Sequence, residues 1–256
     1  MNAEFFAELS AVARAAISAE LELGLACDNK AASGFDPVTE ADRAAERALR
    51  ALIEQRYPEH GIWGEEYGMV RAEAAIRWSL DPVDGTRALV CGLPSWAVLV
   101  GLLEQGRHIA GMIDLPALCE TLLGLDGRTF RNGSPVRASG CRALGDARLS
   151  TTDPHLFIGA EREAFERVRL ACRLTRFGLD ALAYARVATG DIDLVIESGL
   201  QPHDYDALVA VVRGAGGHIG DWAGGEEFAG GRVVAAASRH LYDQAVQLLS
   251  GSAAIG

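Results

Sequence analysis

Asp81-Pro82-Val83-Asp84-Gly85-Thr86 follows the alternating apolar run Ile76, Trp78, Leu80 and comes sixteen residues after Glu65, the first of the acidic pair Glu65-Glu66. Proline fixes φ and donates no ladder hydrogen bond, so the strand is expected to end at Pro82 and the chain to turn. Asp81 and Asp84, three apart across such a turn, can converge on one point, with the Val83 carbonyl as a third oxygen donor. Gly85 permits close backbone approach, and Thr86 is placed to cap a following helix whose N-terminus favours an anion. Acids suited to hard divalent cations, followed by amides suited to a phosphate, form a pattern for metal-assisted phosphate ester hydrolysis. Taken alone, the hexapeptide reads equally well as a turn with a helix cap.

The flanking sequence sets this turn in a layered α/β context. Residues 3–26 carry helical spacing (Phe5, Leu9, Val12, Ala16), which Gly34-Phe35-Asp36-Pro37 breaks. Thr39 with Asp42 predicts a capped helix whose stripe is Ala45, Leu49, Leu52 and Ile53, stopping before Pro58. Strands are expected at 76–80, 95–103, 108–114 and 119–124, with a turn at Asn132-Gly133-Ser134-Pro135. Alternation then resumes: strands near 148–151, 173–177, 191–196 and 233–236, and helices at 160–171, 180–189, Asp204 to Gly214, and from an N-cap at Ser238. The expectation is alternating layers of helices and sheets, an α/β (α+β layered) sandwich. Residues 1–140 would form an N-terminal half and 141–256 a C-terminal half, with a seam near 138–147.

The composition excludes several function classes. With 49% hydrophobic and 23% charged residues, 256 residues can bury a substantial core. The net charge of −11 argues against nucleic acid as a partner, since phosphate backbones are held by Lys and Arg. Five dispersed cysteines without CxxC spacing favour reduced thiols and a cytoplasmic location. The run Leu89 to Leu103 is broken by Gly92, Pro94 and Gly101, so no membrane span is expected. The acidic N-terminus reads as a first helix and not as a signal peptide. Six histidines without ligand spacing disfavour zinc, and an oxygen-only donor set fits Mg²⁺. Glu65 would add the carboxylate that a two-cation site needs, and Asp204 would add one from the second half; by default Asp204 is a helix N-cap.

Trp63-Gly64-Glu65-Glu66, the hexapeptide, and Asp204 followed by Ala215-Gly216-Gly217 resemble the three signatures of the inositol monophosphatase superfamily, in order and separation. The chain is most similar to the histidinol-phosphate phosphatase branch through Thr86-Arg87-Ala88, residues 149–154, 176–180 and 193–200. The resemblance implies an α/β layered fold, commonly a homodimer, and two or three Mg²⁺ per site held by Glu65, Asp81, Asp84, Asp204 and the Val83 carbonyl. It further implies that Glu65 and Thr86 position a water, that the Gly85 and Thr86 amides take the phosphate, and that Glu197, with Asp180, contacts the alcohol. The substrate would be a small phosphate monoester, L-histidinol phosphate first, with inositol, sugar or nucleotide phosphates as alternatives. A catalytically idle binding homologue is the competing class; the complete carboxylate set speaks against it. The chain departs from the pattern at His203, Gln201 and Asp206, the last expected to point to solvent because acids two apart on a helix face different ways.

Overall fold

The computed structural model describes residues 2–24, 27–29 and 37–251; the break at Gly34-Phe35-Asp36 lies outside the described residues. Helix α1 (Ala3–Leu23) starts where the Asn2 side chain accepts the Phe5 N–H. A short antiparallel pair, β1 (Cys27–Asn29) and β2 (Pro37–Thr39), leads into α2 (Glu40–Arg56). There Thr39 and Asp42 form the expected capping box.

An eight-stranded sheet follows. It comprises β3 (Gly61–Gly64), β4 (Gly68–Val70), β5 (Ile76–Asp84), β6 (Ala97–Glu104), β7 (Arg107–Leu115), β8 (Glu120–Leu125), β9 (Arg128–Arg131) and β10 (Ser134–Pro135), in the order β10-β9-β8-β7-β6-β5-β3-β4. The five-residue helix α3 (Thr86–Val90) interrupts it after β5. A second sheet takes β11 (Arg148–Thr151), β12 (Leu174–Phe177), β13 (Leu194–Glu197), β14 (His218–Gly220) and β15 (Val233–Ala236) in the order β12-β11-β13-β15-β14. Between its strands run α4 (Ala160–Ala171), α5 (Ala181–Thr189) and α6 (Pro202–Gly214), and α7 (Arg239–Leu249) follows, capped by Ser238 as expected.

Side-chain alternation along the strands sorts the core into layers. Trp78, Leu80, Val98, Val100 and Met112 face α1 and α2. On the other face of the large sheet, Leu99, Ile113 and Leu122 meet α5 and α6, which are covered in turn by Val195, Val233 and Ala235 of the second sheet. The far face of that sheet, with Leu149, Leu194 and Ile196, packs on α4 and α7. The result is the alternating helix and sheet layering that the sequence pattern predicts.

One device brings α6 close to the large sheet. Gly101, Gly111 and Gly124 stand in register on β6, β7 and β8. A Cβ on Gly111 would collide with the Ala207 carbonyl and one on Gly124 with the Ala210 backbone. The glycine row is therefore a trough that seats the helix carrying Asp204.

Three local expectations are corrected. The strand does not end at Pro82: β5 runs on to Asp84 through a bulge, pairing Asp81 with Leu99 and Asp84 with Ala97. A bulge leaves one residue out of the ladder, and this accommodates a proline without losing the strand. Asp204 is not an N-cap, because Pro202 begins α6 and Gln201 caps it, placing Asp204 at the third helical position. Residues 191–193 precede β13, and Asp193 there accepts from the Arg148 N–H (2.9 Å), Nε (2.7 Å) and Nη2 (2.9 Å).

Candidate active site

Alternation points Asp81, paired with Leu99, toward the layer occupied by α5 and α6, and past the bulge Asp84 reaches the first residue of α5. Asp81 is buried, and its Oδ1 accepts the Val83 N–H at 3.0 Å. Gly85 takes φ 80°, ψ 37° and is itself the N-cap of α3, so Thr86 is the first helical residue and not the cap. The left-handed turn at Gly85 is disfavoured for a side-chain-bearing residue. A Cβ there would also stand 3.0 Å from Oδ2 of Asp180, so the turn and Asp180 share one wall. The Thr86 hydroxyl lies 3.0 Å from the Val83 carbonyl and 3.1 Å from Oδ1 of Asp42 and can give its single proton to one at a time.

Glu65 enters from the turn between β3 and β4, and its N–H donates to the Leu80 carbonyl at 3.1 Å, one residue before Asp81. Buried Glu46 on α2 holds this turn: its carboxylate accepts the N–H groups of Glu66 (2.7 Å) and Tyr67 (3.2 Å) and pairs with Arg50 Nε at 2.7 Å. Gly64 leaves the space that the Glu46 carboxylate fills.

The C-terminal portion supplies the remaining groups. Oδ2 of Asp204 accepts the Gln201 N–H at 2.7 Å, while Oδ1 lies 3.4 Å from His203 Nε2. Asp84 Oδ2 accepts the N–H of Ala181, the first residue of α5, at 2.7 Å, an arrangement that the helix dipole favours. Asp180 takes φ 47° just before that helix, and the Ser95 hydroxyl reaches its Oδ2 at 3.5 Å. Glu197, the last residue of β13, is buried; it accepts the Thr152 N–H at 2.6 Å and the Thr151 hydroxyl at 3.1 Å.

Electrostatics mark this region as uncompensated. Burial pushes the Asp81 carboxyl well above the usual carboxylate range, and the charges of Glu65, Asp84 and Asp204 push it further. Asp84 is raised likewise, by burial and then by Asp180 and Asp204, against the lowering effect of the Ala181 N–H. Asp204 is raised by burial, with His203 opposing. Glu65 and Asp204 both act on the Asp81 carboxyl, by charge and by hydrogen bonding. Carboxylates tolerate such contact when a proton or a cation lies between them. Burial raises Glu197 to about 7.

Among the described residues, no three His, Cys, Asp or Glu side chains form a ready-made metal cage. Magnesium does not require one, since it is ordinarily held by one or two carboxylates together with waters and substrate phosphate. Hard oxygen donors whose carboxyls burial and mutual charge raise together fit such an ion.

Sequence reasoning missed several contributors. Asp42, read as a first-turn acid, is buried and joins Thr39 (Oγ1 at 2.5 Å, N–H at 2.9 Å) to Thr86. Glu46, Thr151, Thr152 and the Ala181 amide act across chain separations that local pattern cannot report. Tyr184 is buried on α5, its hydroxyl has no hydrogen-bond partner among the described residues, and Glu197, Asp84 and Asp204 all act on it electrostatically. Asp206 corrects an expectation: it is buried, not solvent-facing, and its Oδ1 lies 2.7 Å from His108 Nε2. Helix geometry turns it away from Asp204 as expected, but that direction leads onto the large sheet.

Comparison with known proteins places these features in context. A family model described as the inositol monophosphatase family matches residues 3–253. The bifunctional phosphatase IMPL2 of Arabidopsis thaliana is 46% identical over 193 residues, covering 74% of this chain and 56% of that protein. The chain thus spans little more than half the length of that relative. A histidinol-phosphatase of Chlorobaculum parvum is 31% identical over 207 residues, 80% of each chain. The solved structure of an inositol monophosphatase from Zymomonas mobilis superimposes with a TM-score of 0.86 at 39% identity, over 96% of each chain.

Proposed function

Because the chain belongs to the inositol monophosphatase family, a family of phosphoric monoester hydrolases, we propose that it is a Mg²⁺-dependent phosphomonoesterase that converts L-histidinol phosphate to L-histidinol and phosphate. The observation that carries this reading is the burial of Asp81 within electrostatic reach of Glu65, Asp84 and Asp204, whose charges raise its carboxyl further. Glu65, Asp81, Asp84, Asp204 and the Val83 carbonyl would hold the cation. When bound, magnesium supplies positive charge to the phosphate oxygens and lowers the pKa of water.

The chain's own groups do the rest. Glu65 and the Thr86 hydroxyl orient the attacking water, Asp42 fixing the direction of that hydroxyl. The Gly85 and Thr86 amides would take the phosphate, the left-handed turn at Gly85 allowing close backbone approach there. Glu197, anchored by Thr151 and Thr152, receives the alcohol portion of the substrate. Asp180, placed between Gly85 and α5, is suited to a cationic group such as the amine of histidinol. The likeness to a histidinol-phosphatase supports this choice of substrate. Among the described residues no helix is long and apolar enough to cross a membrane. A homodimer in the cytoplasm, serving histidine biosynthesis, completes the reading.

A panel of phosphate esters assayed with Mg²⁺ tests the substrate. L-histidinol phosphate is expected to turn over fastest. Fast release of phosphate from inositol 1-phosphate with none from histidinol phosphate would overturn the substrate while leaving the chemistry in place.

A further inference from the structure

The pair His108–Asp206 lies behind the candidate site, in none of the roles above. Asp206 is 3% exposed, and its Oδ1 sits 2.7 Å from His108 Nε2 while its Oδ2 has no hydrogen-bond partner among the described residues. A buried carboxylate is costly unless hydrogen-bonded, and the His108 ring is the partner that this one finds.

Two structural departures make the contact possible. Strand β7 pairs with β6 through a bulge between Leu102 and Leu103, which brings His108 opposite Leu103. Bulges re-aim side chains in this way. On the neighbouring strand, Gly101 leaves the space over which α6 lies: a Cβ there would stand 3.0 Å from the Asp206 Cβ and from the Ala207 nitrogen. Glycine, bulge, histidine and aspartate thus serve one contact.

Successive helical residues are rotated by about 100°, so Asp204 and Asp206 lie on nearly opposite sides of the first turn of α6. One side is fixed by the Asp204 bond to the Gln201 N–H at 2.7 Å, the other by His108 on Asp206. We propose that His108 and Asp206 are positioning residues that set the rotation of this turn, and so aim Asp204 at Asp81 and Glu65. The inference rests on the cation-holding role proposed for Asp204.

Calorimetric titration with Mg²⁺ alone, on the full chain without substrate, tests it. His108→Ala is expected to weaken Mg²⁺ binding about tenfold, the lower range for groups that orient metal ligands. His108→Gln, which retains a donor at similar reach, is expected to restore most of the affinity. Asp206→Ala removes the same bond from the helix side and is expected to match His108→Ala. Folded variants of both kinds that bind Mg²⁺ as the unsubstituted protein does would overturn the proposal, leaving the pair a packing contact. If the unsubstituted protein itself bound no Mg²⁺, the metal-site reading would fall first and this inference with it.

Discussion

Replacing Glu197 by Gln separates burial cost from function at the alcohol end of the pocket. Burial raises this carboxyl from 4.5 to about 7, with the Thr152 N–H and Thr151 hydroxyl holding it lower than burial alone would. The folded-state value lies above the unfolded one, so the folded protein binds the extra proton. Stability from this group is complete below pH 4.5 and is lost as pH rises through 7. The full cost of the buried carboxylate is about 3 kcal/mol, and roughly 2.5 kcal/mol of it develops between pH 5 and pH 8. Gln keeps the acceptor for the Thr152 N–H and does not titrate. Urea unfolding of both proteins in EDTA should therefore show the Glu197→Gln variant gaining on its parent by roughly 2.5 kcal/mol from pH 5 to pH 8. With an m-value of about 3 kcal/mol/M, that is a relative midpoint shift near ~0.8 M. Parallel pH profiles for the two proteins would refute the assignment of Glu197 as a buried, destabilised carboxylate.

Asp84→Asn should lower Mg²⁺-dependent phosphate release by more than about a hundredfold while leaving the circular dichroism spectrum unchanged; near-normal turnover in a folded variant would remove Asp84 from the site. Gly111→Ala drives a methyl group into the Ala207 carbonyl and should cost about 1–3 kcal/mol, read as a melting temperature lower by several degrees. Asp42→Ala leaves the Thr86 hydroxyl only the Val83 carbonyl and opens the capping box of α2. It should lose about 1 kcal/mol of stability and about tenfold in kcat, so an unchanged kcat would show that Asp42 does not orient Thr86.

What the sequence reveals follows from the range of each interaction. The cap at Thr39, the cap at Ser238 and the alternation that locates β6 and β7 are local, and the structure contains them. The acidic motifs announce themselves because charge at a strand end beside Gly and Pro is locally unusual. Pro82 misleads because a bulge and a strand end demand the same residue, and the choice depends on β6, which pairs on either side of it. Asp206 misleads for a related reason: periodicity gives its direction relative to Asp204, not what lies there. The glycine row is invisible until Gly101, Gly111 and Gly124 are known to be in register. Glu46 under the Glu65 turn and the Ala181 amide on Asp84 are contacts across 20 and 97 residues, which spacing cannot foretell.

Crystals of the protein grown with Mn²⁺, which has an anomalous signal where Mg²⁺ has none, test the central claim most directly. Anomalous peaks are expected within about 2.2 Å of carboxylate oxygens of Asp81 and Asp84 and of the Val83 carbonyl, the range usual for small hard divalent ions. A fully occupied manganese site elsewhere, with no peak between β5 and α6, would contradict the account.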